Sequence, residues 1–484
     1  MKKRFLKIAA LALGTALACA PFAACADGGS EGLELIGANT QYTVTEKGTP
    51  EPVYSIGFDI MGGKDVMPIG GWWGPYEPQQ DVVNGVELPD YVSDYYFGLM
   101  QEAGVNFNVV SPETWGANKQ SVEEALDLSA KYNMGYFVYD PVVSDSGKLD
   151  TMQERLDLYM SHPACIGVHS IDEPKANAFD ALGKVYERFG ELGYNNQYLF
   201  TNLLPNYAAD LSGTGSPMVY EEYLREYFEK VDSGFLSFDH YPFTRAGMGT
   251  DNMRQYFENL SAVRQVAEEN EIPFWTFIQL GGQWNDSGAP RDITYPLFPS
   301  EAETYWNINT SLAYGAKAIE YYCIFQPINY IYTLDGFNFE HFAMFGAAGN
   351  INSWYYYAKN ADMQIQAIDH VLMNASSEGI ITLGRTASSN IMGDEKIESG
   401  SFRQLTGITG ETEDTNAIVG CFDYLGGTAL YVVNYSVYDK QQVTLHFDAK
   451  YGYDVVQRGR KVSVAGKDLP LTLEAGEGVL VTLR

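Results

Sequence analysis

His162-Pro163-Ala164-Cys165-Ile166-Gly167-Val168-His169-Ser170-Ile171-Asp172-Glu173-Pro174 reads as a short apolar strand that stops at two adjacent carboxylates. The proline after them already has a helical φ and suits the first position of a helix. Strand, acidic turn and helix in that order form the repeating unit of a parallel α/β sheet.

Working outward, the same unit recurs. Apolar runs that predict strands stand at 66–72, 105–111, 134–140, 165–171, 198–204, 235–241, 273–280 and 318–325. Helical patterns fill the intervals at 91–103, 122–132, 152–160, 176–192, 218–231, 253–269, 301–314 and 353–373, with capping boxes expected at Ser121/Glu124 and Ser300/Glu303. Eight alternating units predict a closed (β/α)8 TIM barrel of the α/β class, with an open doubly wound sheet as the competitor. The barrel is preferred because Gly70-Gly71-Trp72-Trp73-Gly74 sets two indoles where a dinucleotide fingerprint would need phosphate to approach.

After Met373 the period changes to short alternating strands, expected at 417–424, 429–435, 442–447 and 453–457 with a closing pair around 475–478. That spacing predicts a C-terminal antiparallel β-sandwich. The acidic, threonine-rich stretch 406–416 reads as an exposed loop.

The N-terminus reads as an address. Lys2, Lys3, Arg4 and Lys7 precede an apolar stretch over 8–18, the layout of a bacterial secretory signal. Phe22-Ala23-Ala24-Cys25 resembles a lipoprotein cleavage box that would lipidate Cys25, with Cys19 a second candidate. The expected organisation is a lipoprotein signal over 1–25, a tether over 26–50, the barrel over 51–375 and the sandwich over 376–484. The expected location is extracytoplasmic, either the bacterial cell surface with the membrane touched only through the lipid, or secreted.

The chain has 484 residues, with 62 acidic against 31 basic residues and a formal charge of -31. Such a charge repels nucleic acid at long range, and a neutral ligand is indifferent to it. Cys165, Cys323 and Cys421 lie singly in apolar runs and read as small buried hydrophobes. The six histidines show no ligand spacing, so neither metal nor cofactor is expected, and no GxSxG elbow joins a predicted strand to a predicted helix.

In a (β/α)8 barrel chemistry sits where the C-terminal strand ends meet. Those ends carry Trp72 and Trp73, Glu113 and Trp115, Asp140, Asp172 and Glu173, Asn202, Asp239, His240 and Tyr241, Gln279 with Gln283 and Trp284, and Glu320 with Tyr322. Aromatic faces beside carboxylates and amides suit a carbohydrate, whose C–H faces stack and whose hydroxyls pair. Hydrolysis of a glycosidic bond needs two carboxyls, one protonated and one ionised. Glu173 is the expected acid, assisted by Asp172. The substrate-binding set is Trp72, Trp73, Trp115, Asn202, His240, Tyr241, Gln279, Trp284, Glu320 and Tyr322.

Four segments carry a resemblance: Ser170-Ile171-Asp172-Glu173-Pro174, Asp239-His240-Tyr241-Pro242, Trp275-Thr276-Phe277-Ile278-Gln279, and Glu303 with Ser311-Leu312-Ala313-Tyr314-Gly315-Ala316-Lys317-Ala318-Ile319. Together they resemble bacterial glycoside hydrolase-like barrels related to the family 42 β-galactosidase type. The resemblance implies a retaining glycosidase with Glu173 as acid/base. It also implies a glutamate nucleophile ending strand seven, where this chain has Gln279, and an amide is a poor nucleophile. Asp239 on strand six is therefore the expected second carboxylate; Glu320, Glu113 or Asp286 positioning a water is the next reading. A non-catalytic glycan-binding lipoprotein on a degenerate barrel is the alternative.

Overall fold

The computed structural model describes residues 34–35, 53–78, 80–110, 119–194, 196–243, 251–281, 299–327, 333–334, 337–338, 343–384 and 396–484. Its first half alternates β1 (Ile69–Gly71), α1 (Asp94–Ala103), β2 (Phe107–Val109), α2 (Lys119–Lys131), β3 (Gly135–Tyr139), α3 (Met152–Leu156), β4 (Cys165–Asp172) and α4 (Phe179–Glu191). It continues through β5 (Tyr198–Leu203), α5 (Tyr220–Lys230), β6 (Leu236–Phe238), α6 (Asp251–Glu269), β7 (Phe274–Gln279), α7 (Glu301–Ala313), β8 (Ala318–Tyr322) and α8 (Ser353–Gln366). The eight strands are parallel neighbours in sequence order, and β8 pairs with β1. The Asn106 N–H donates to the Ile69 carbonyl at 2.7 Å and the Gly74 N–H to Val109 at 3.1 Å, which brings β1 against β2 and completes the barrel. Gly70 permits that approach, since a Cβ there would lie 2.3 Å from the Phe107 carbonyl oxygen.

Strand alternation sends every second side chain inward. Phe107, Phe137, Phe200, Phe235 and Trp275 meet in the lower barrel, with the Trp275 ring stacked on Phe235 at 4.1 Å. Phe58 closes the floor beneath them, 6.3 Å from Trp275. The buried polar side chains Asn202, Asp239 and Gln279 stand at or just past the C-terminal ends of their strands, toward the mouth.

Seven strands follow: β9 (Ala375–Leu383), β10 (Leu405–Gly410), β11 (Ala417–Tyr424), β12 (Gly427–Asn434), β13 (Gln441–Gln457), β14 (Arg460–Leu473) and β15 (Gly478–Leu483). They form one antiparallel sheet that folds over at a register shift in β13 between His446 and Tyr451, which makes two leaves of a sandwich. The backbone of Glu34–Leu35 adds to the edge of β14. On β12, Leu430 and Val432 face the sandwich's own core, while Ala429, Tyr431 and Val433 join the barrel's. At that seam Tyr431 donates to Asn309 at 2.7 Å, and Tyr435 stacks on Phe257 beside Trp306.

Two local expectations are corrected. Helix α2 begins at Lys119, so Ser121 lies in its first turn rather than at its cap. The stretch expected as a loop from Thr406 contains β10, an edge strand paired with β13. The Ser300/Glu303 capping box forms on α7, and the three cysteines are buried free thiols.

Candidate active site

An irregularity in β4 builds the site. Its register with β5 slips between His169 and Ile171, so the inward parity passes from His169 to Asp172. The next residue, Glu173, has φ +47°, a left-handed conformation that a non-glycine residue adopts at a cost of order 1 kcal/mol or more. Its N–H donates to the Asn202 carbonyl at 2.9 Å. Slip and turn together bring two adjacent carboxyls to the mouth of the barrel.

There they meet the end of β6. The Asp239 and Glu173 carboxyls are hydrogen bonded to each other, an arrangement that requires one of them to hold a proton. Asn202 on β5 donates from Nδ2 to Asp239 Oδ1 at 2.9 Å and to Asp172 Oδ1 at 3.2 Å. Burial first, then the neighbouring charges of Glu173 and Asp172, push the Asp239 carboxyl well above the usual carboxylate range. Burial also raises Glu173, but the hydrogen bond from Asp239 pulls it back. Asp239 is only 4% exposed, whereas Glu173 sits on an exposed turn with its carboxyl leaning inward. Burial and like charge thus favour Asp239 as the holder of the proton and Glu173 as the ionised partner.

Phenols ring the pair. The Tyr241 and Tyr322 rings lie 5.3 Å apart, and Tyr207, whose ring is partly exposed, hydrogen bonds to the Tyr241 backbone within the field of both carboxyls. Burial and those two charges push the Tyr207 and Tyr241 phenols up. Tyr207 was not among the sequence candidates; its place just after β5, in Leu204-Pro205-Asn206-Tyr207, is the signal that would have found it.

The other candidates are distributed as follows. Trp72 is enclosed in the barrel, its ring 4.5 Å from His169 and 6.2 Å from both Phe200 and Phe277. Trp73 is buried against Tyr76. His240 lies behind the pit between Tyr207 and Tyr256, and burial lowers its pKa to about 3. Glu320 is wholly buried beneath the pair, 2.8 Å from Ser237. Asp140 is engaged by Arg155 at 2.9 Å, away from the pair. Glu113, Trp115, Gln283, Trp284, Asp286 and Cys25 lie outside the described residues.

Gln279 stands at the end of β7 and grips the chain after β6. Its Oε1 accepts from the Phe243 N–H at 3.0 Å and its Nε2 donates to the Phe243 carbonyl at 3.2 Å. A carboxylate cannot make the second bond and would face a carbonyl oxygen. Gln279→Glu is therefore expected to destabilise the fold by about 1–3 kcal/mol, seen as a lower urea midpoint; an unchanged midpoint would show that the grip contributes nothing.

No protein-family model matches the sequence, and no curated protein matches it. Among solved structures the fold is similar to those of glycoside hydrolases. A β-galactosidase from the haloarchaeon Halorubrum lacusprofundi is 12% identical, with a TM-score of 0.41 over 62% of this chain and 58% of that one. A β-galactosidase from a psychrophilic Marinomonas is 12% identical, with a TM-score of 0.42 over 65% and 63%. A maltogenic α-amylase from Thermotoga neapolitana is 10% identical, with a TM-score of 0.46 over 87% and 99%. The chain thus spans less than two thirds of either β-galactosidase.

Proposed function

We propose that the chain is a glycoside hydrolase acting on an oligo- or polysaccharide, with Glu173 and Asp239 as its acid/base pair. The observation that carries the reading is the meeting of two carboxyls at the C-terminal mouth of the barrel, Asp239 held by the Asn202 Nδ2 at 2.9 Å and Glu173 by its N–H on the Asn202 carbonyl at 2.9 Å. Glycosidic hydrolysis needs one neutral and one ionised carboxyl, and environments that split a pair assign the roles. Asp239 gives its proton to the departing oxygen as the anomeric C–O bond breaks. Glu173, ionised at the exposed lip, either takes a proton from the water that bonds to the anomeric carbon, or bonds to that carbon itself to form a glycosyl ester that water then hydrolyses, with Asp239 taking the water's proton. This exchanges the roles implied by the family 42 resemblance. The free pair is in hydrogen-bond contact, closer than the roughly 5 Å of retaining pairs, so a sugar seated between them parts them. Asn202 anchors Asp239, which leaves Glu173 as the member that moves.

The second reading, glycan binding without cleavage, is favoured by Gln279, whose side chain is engaged with Phe243. A panel of aryl glycosides and of plant and host polysaccharides separates the two. Turnover is the expected result; calorimetric binding with no turnover would transfer the case to the second reading, and neither would end both. The proposal also keeps the address read from the first 25 residues, a cell-surface protein held by a lipid on Cys25. Cys25→Ala is expected to move the protein from the membrane fraction to the soluble one, and an unchanged distribution would remove the anchor.

A further inference from the structure

Asn202 has a fixed sense at the base of the pit. Its two Nδ2 hydrogens go to Asp239 and Asp172, so its Oδ1 faces away from them. That oxygen lies 3.2 Å from Ser237 Oγ, and Ser237 Oγ lies 2.8 Å from Glu320 Oε1. A hydroxyl has one hydrogen. Ser237 can give it to Asn202 or to Glu320, and not to both at once.

The count is decided by Glu320. When Glu320 holds a proton it donates to Ser237, Ser237 donates to Asn202, and Asn202 donates to both aspartates. Every link is then satisfied and all point toward the mouth. When Glu320 is ionised, Ser237 must turn its hydrogen down, and the Asn202 carbonyl loses its donor. The second carboxyl oxygen of Glu320, Oε2, is buried with no hydrogen-bond partner, a poor setting for charge.

We infer that Glu320 is a positioning residue: as a neutral acid at the foot of a Glu320–Ser237–Asn202 chain it fixes the amide that holds Asp239, and its ionisation releases that amide. The link to turnover rests on the proposed function; the hydrogen-bond switch itself does not. Burial pushes the Glu320 carboxyl up to about 8, with Ser237 opposing. The same interior presents Asp239 from β6, Asp172 and Glu173 from β4, and Tyr322 from Glu320's own strand. It also presents His169 from β4, which burial keeps neutral with Nδ1 donating to the Val110 carbonyl at 2.9 Å. Strands β1 and β7 contribute Trp72 and Phe277, which do not titrate, and Gln279.

The sign for stability follows from linkage. The folded value, about 8, lies above the ordinary 4.5. The contribution of Glu320 is therefore complete below the ordinary value and is lost as pH rises through the folded one.

The test uses difference infrared spectroscopy and rates across the same pH range. In the wild type a neutral-carboxyl C=O band is expected to vanish near pH 8 and to be missing from Glu320→Gln. The turnover ratio between about pH 9 and about pH 7 is expected to drop about tenfold in the wild type, one unit beyond the midpoint. It should stay nearly level in Glu320→Gln, whose amide N–H donates to Ser237 at every pH. Ser237→Ala, which cuts the chain without touching Glu320's charge, should lower turnover at both values and lose the inflection. A band that persists in Glu320→Gln, or the wild-type inflection surviving in that variant, overturns the inference. If no glycoside is turned over but the band titrates and disappears with Glu320, the proposed function fails and the switch stands. Turnover without a titrating band fails the switch alone.

Discussion

Asp239→Asn is expected to lower kcat/KM by about 10³-fold for glycosides with poor leaving groups, and far less for dinitrophenyl glycosides, whose aglycone departs without a proton. The argument starts from burial. Asp239 lies beneath Glu173, bonded to it and to Asn202, and its carboxyl is the one that burial and like charge keep neutral. An amide has the same shape and no proton to give. Glu173→Gln removes the ionised partner instead and should depress all substrates by about 10³-fold, whatever the leaving group. The two dependences on leaving-group pKa are the measurement. The opposite pattern would return the acid role to Glu173, and full activity in both variants would remove the pair from the mechanism.

Trp275→Ala should cost about 3–5 kcal/mol of stability, the range for truncating a fully buried large aromatic. The indole is 0% exposed. It stacks on Phe235 at 4.1 Å and lies 5.6 Å from Phe107, 6.4 Å from Phe137 and 6.5 Å from Phe200. Three strands besides its own, and Phe235 just before β6, lose a packing partner at once, and rigid rings do not collapse readily into the space. Urea unfolding followed by circular dichroism reads the change. A loss under about 1 kcal/mol would show that the ring layer is not what holds the lower barrel together.

The barrel was legible because its strands are buried on both faces and read as unbroken apolar runs, each punctuated by a helix. The run from Cys165 and the run from Ala318 begin where the sequence put them. What the sequence did not show was parity. Nothing in His169-Ser170-Ile171 announces the slip that lets Asp172 face inward, nor that Glu173 turns left-handed beside it. Asp239, Asp172 and Glu173 were legible as acids at strand ends, but their sharing of Asn202 depends on a tertiary register that no local pattern encodes. Gln279 was visible as a departure from the resembled family, and its engagement with Phe243 was not. In the sandwich, β13 read as two strands because the fold-over near Lys450 is polar, and β10 was missed because its threonines and glycines give an edge strand no apolar alternation.

The seam along β12 has a consequence for how the chain can be divided. Tyr431 and Val433 belong to the same packed cluster as Trp306 and Phe257, and Asn309 on α7 is held from the sandwich by Tyr431 and by the Gly476 carbonyl at 2.8 Å. Helix α7 in turn supplies Asn307, whose side chain accepts the Gln279 N–H at 3.1 Å. The C-terminal sandwich is thus the outer wall of the barrel at α7. A break anywhere in β12 is felt two layers away at the strand that grips the loop beside Asp239, so the sandwich cannot be exchanged for another without rebuilding α7 to match.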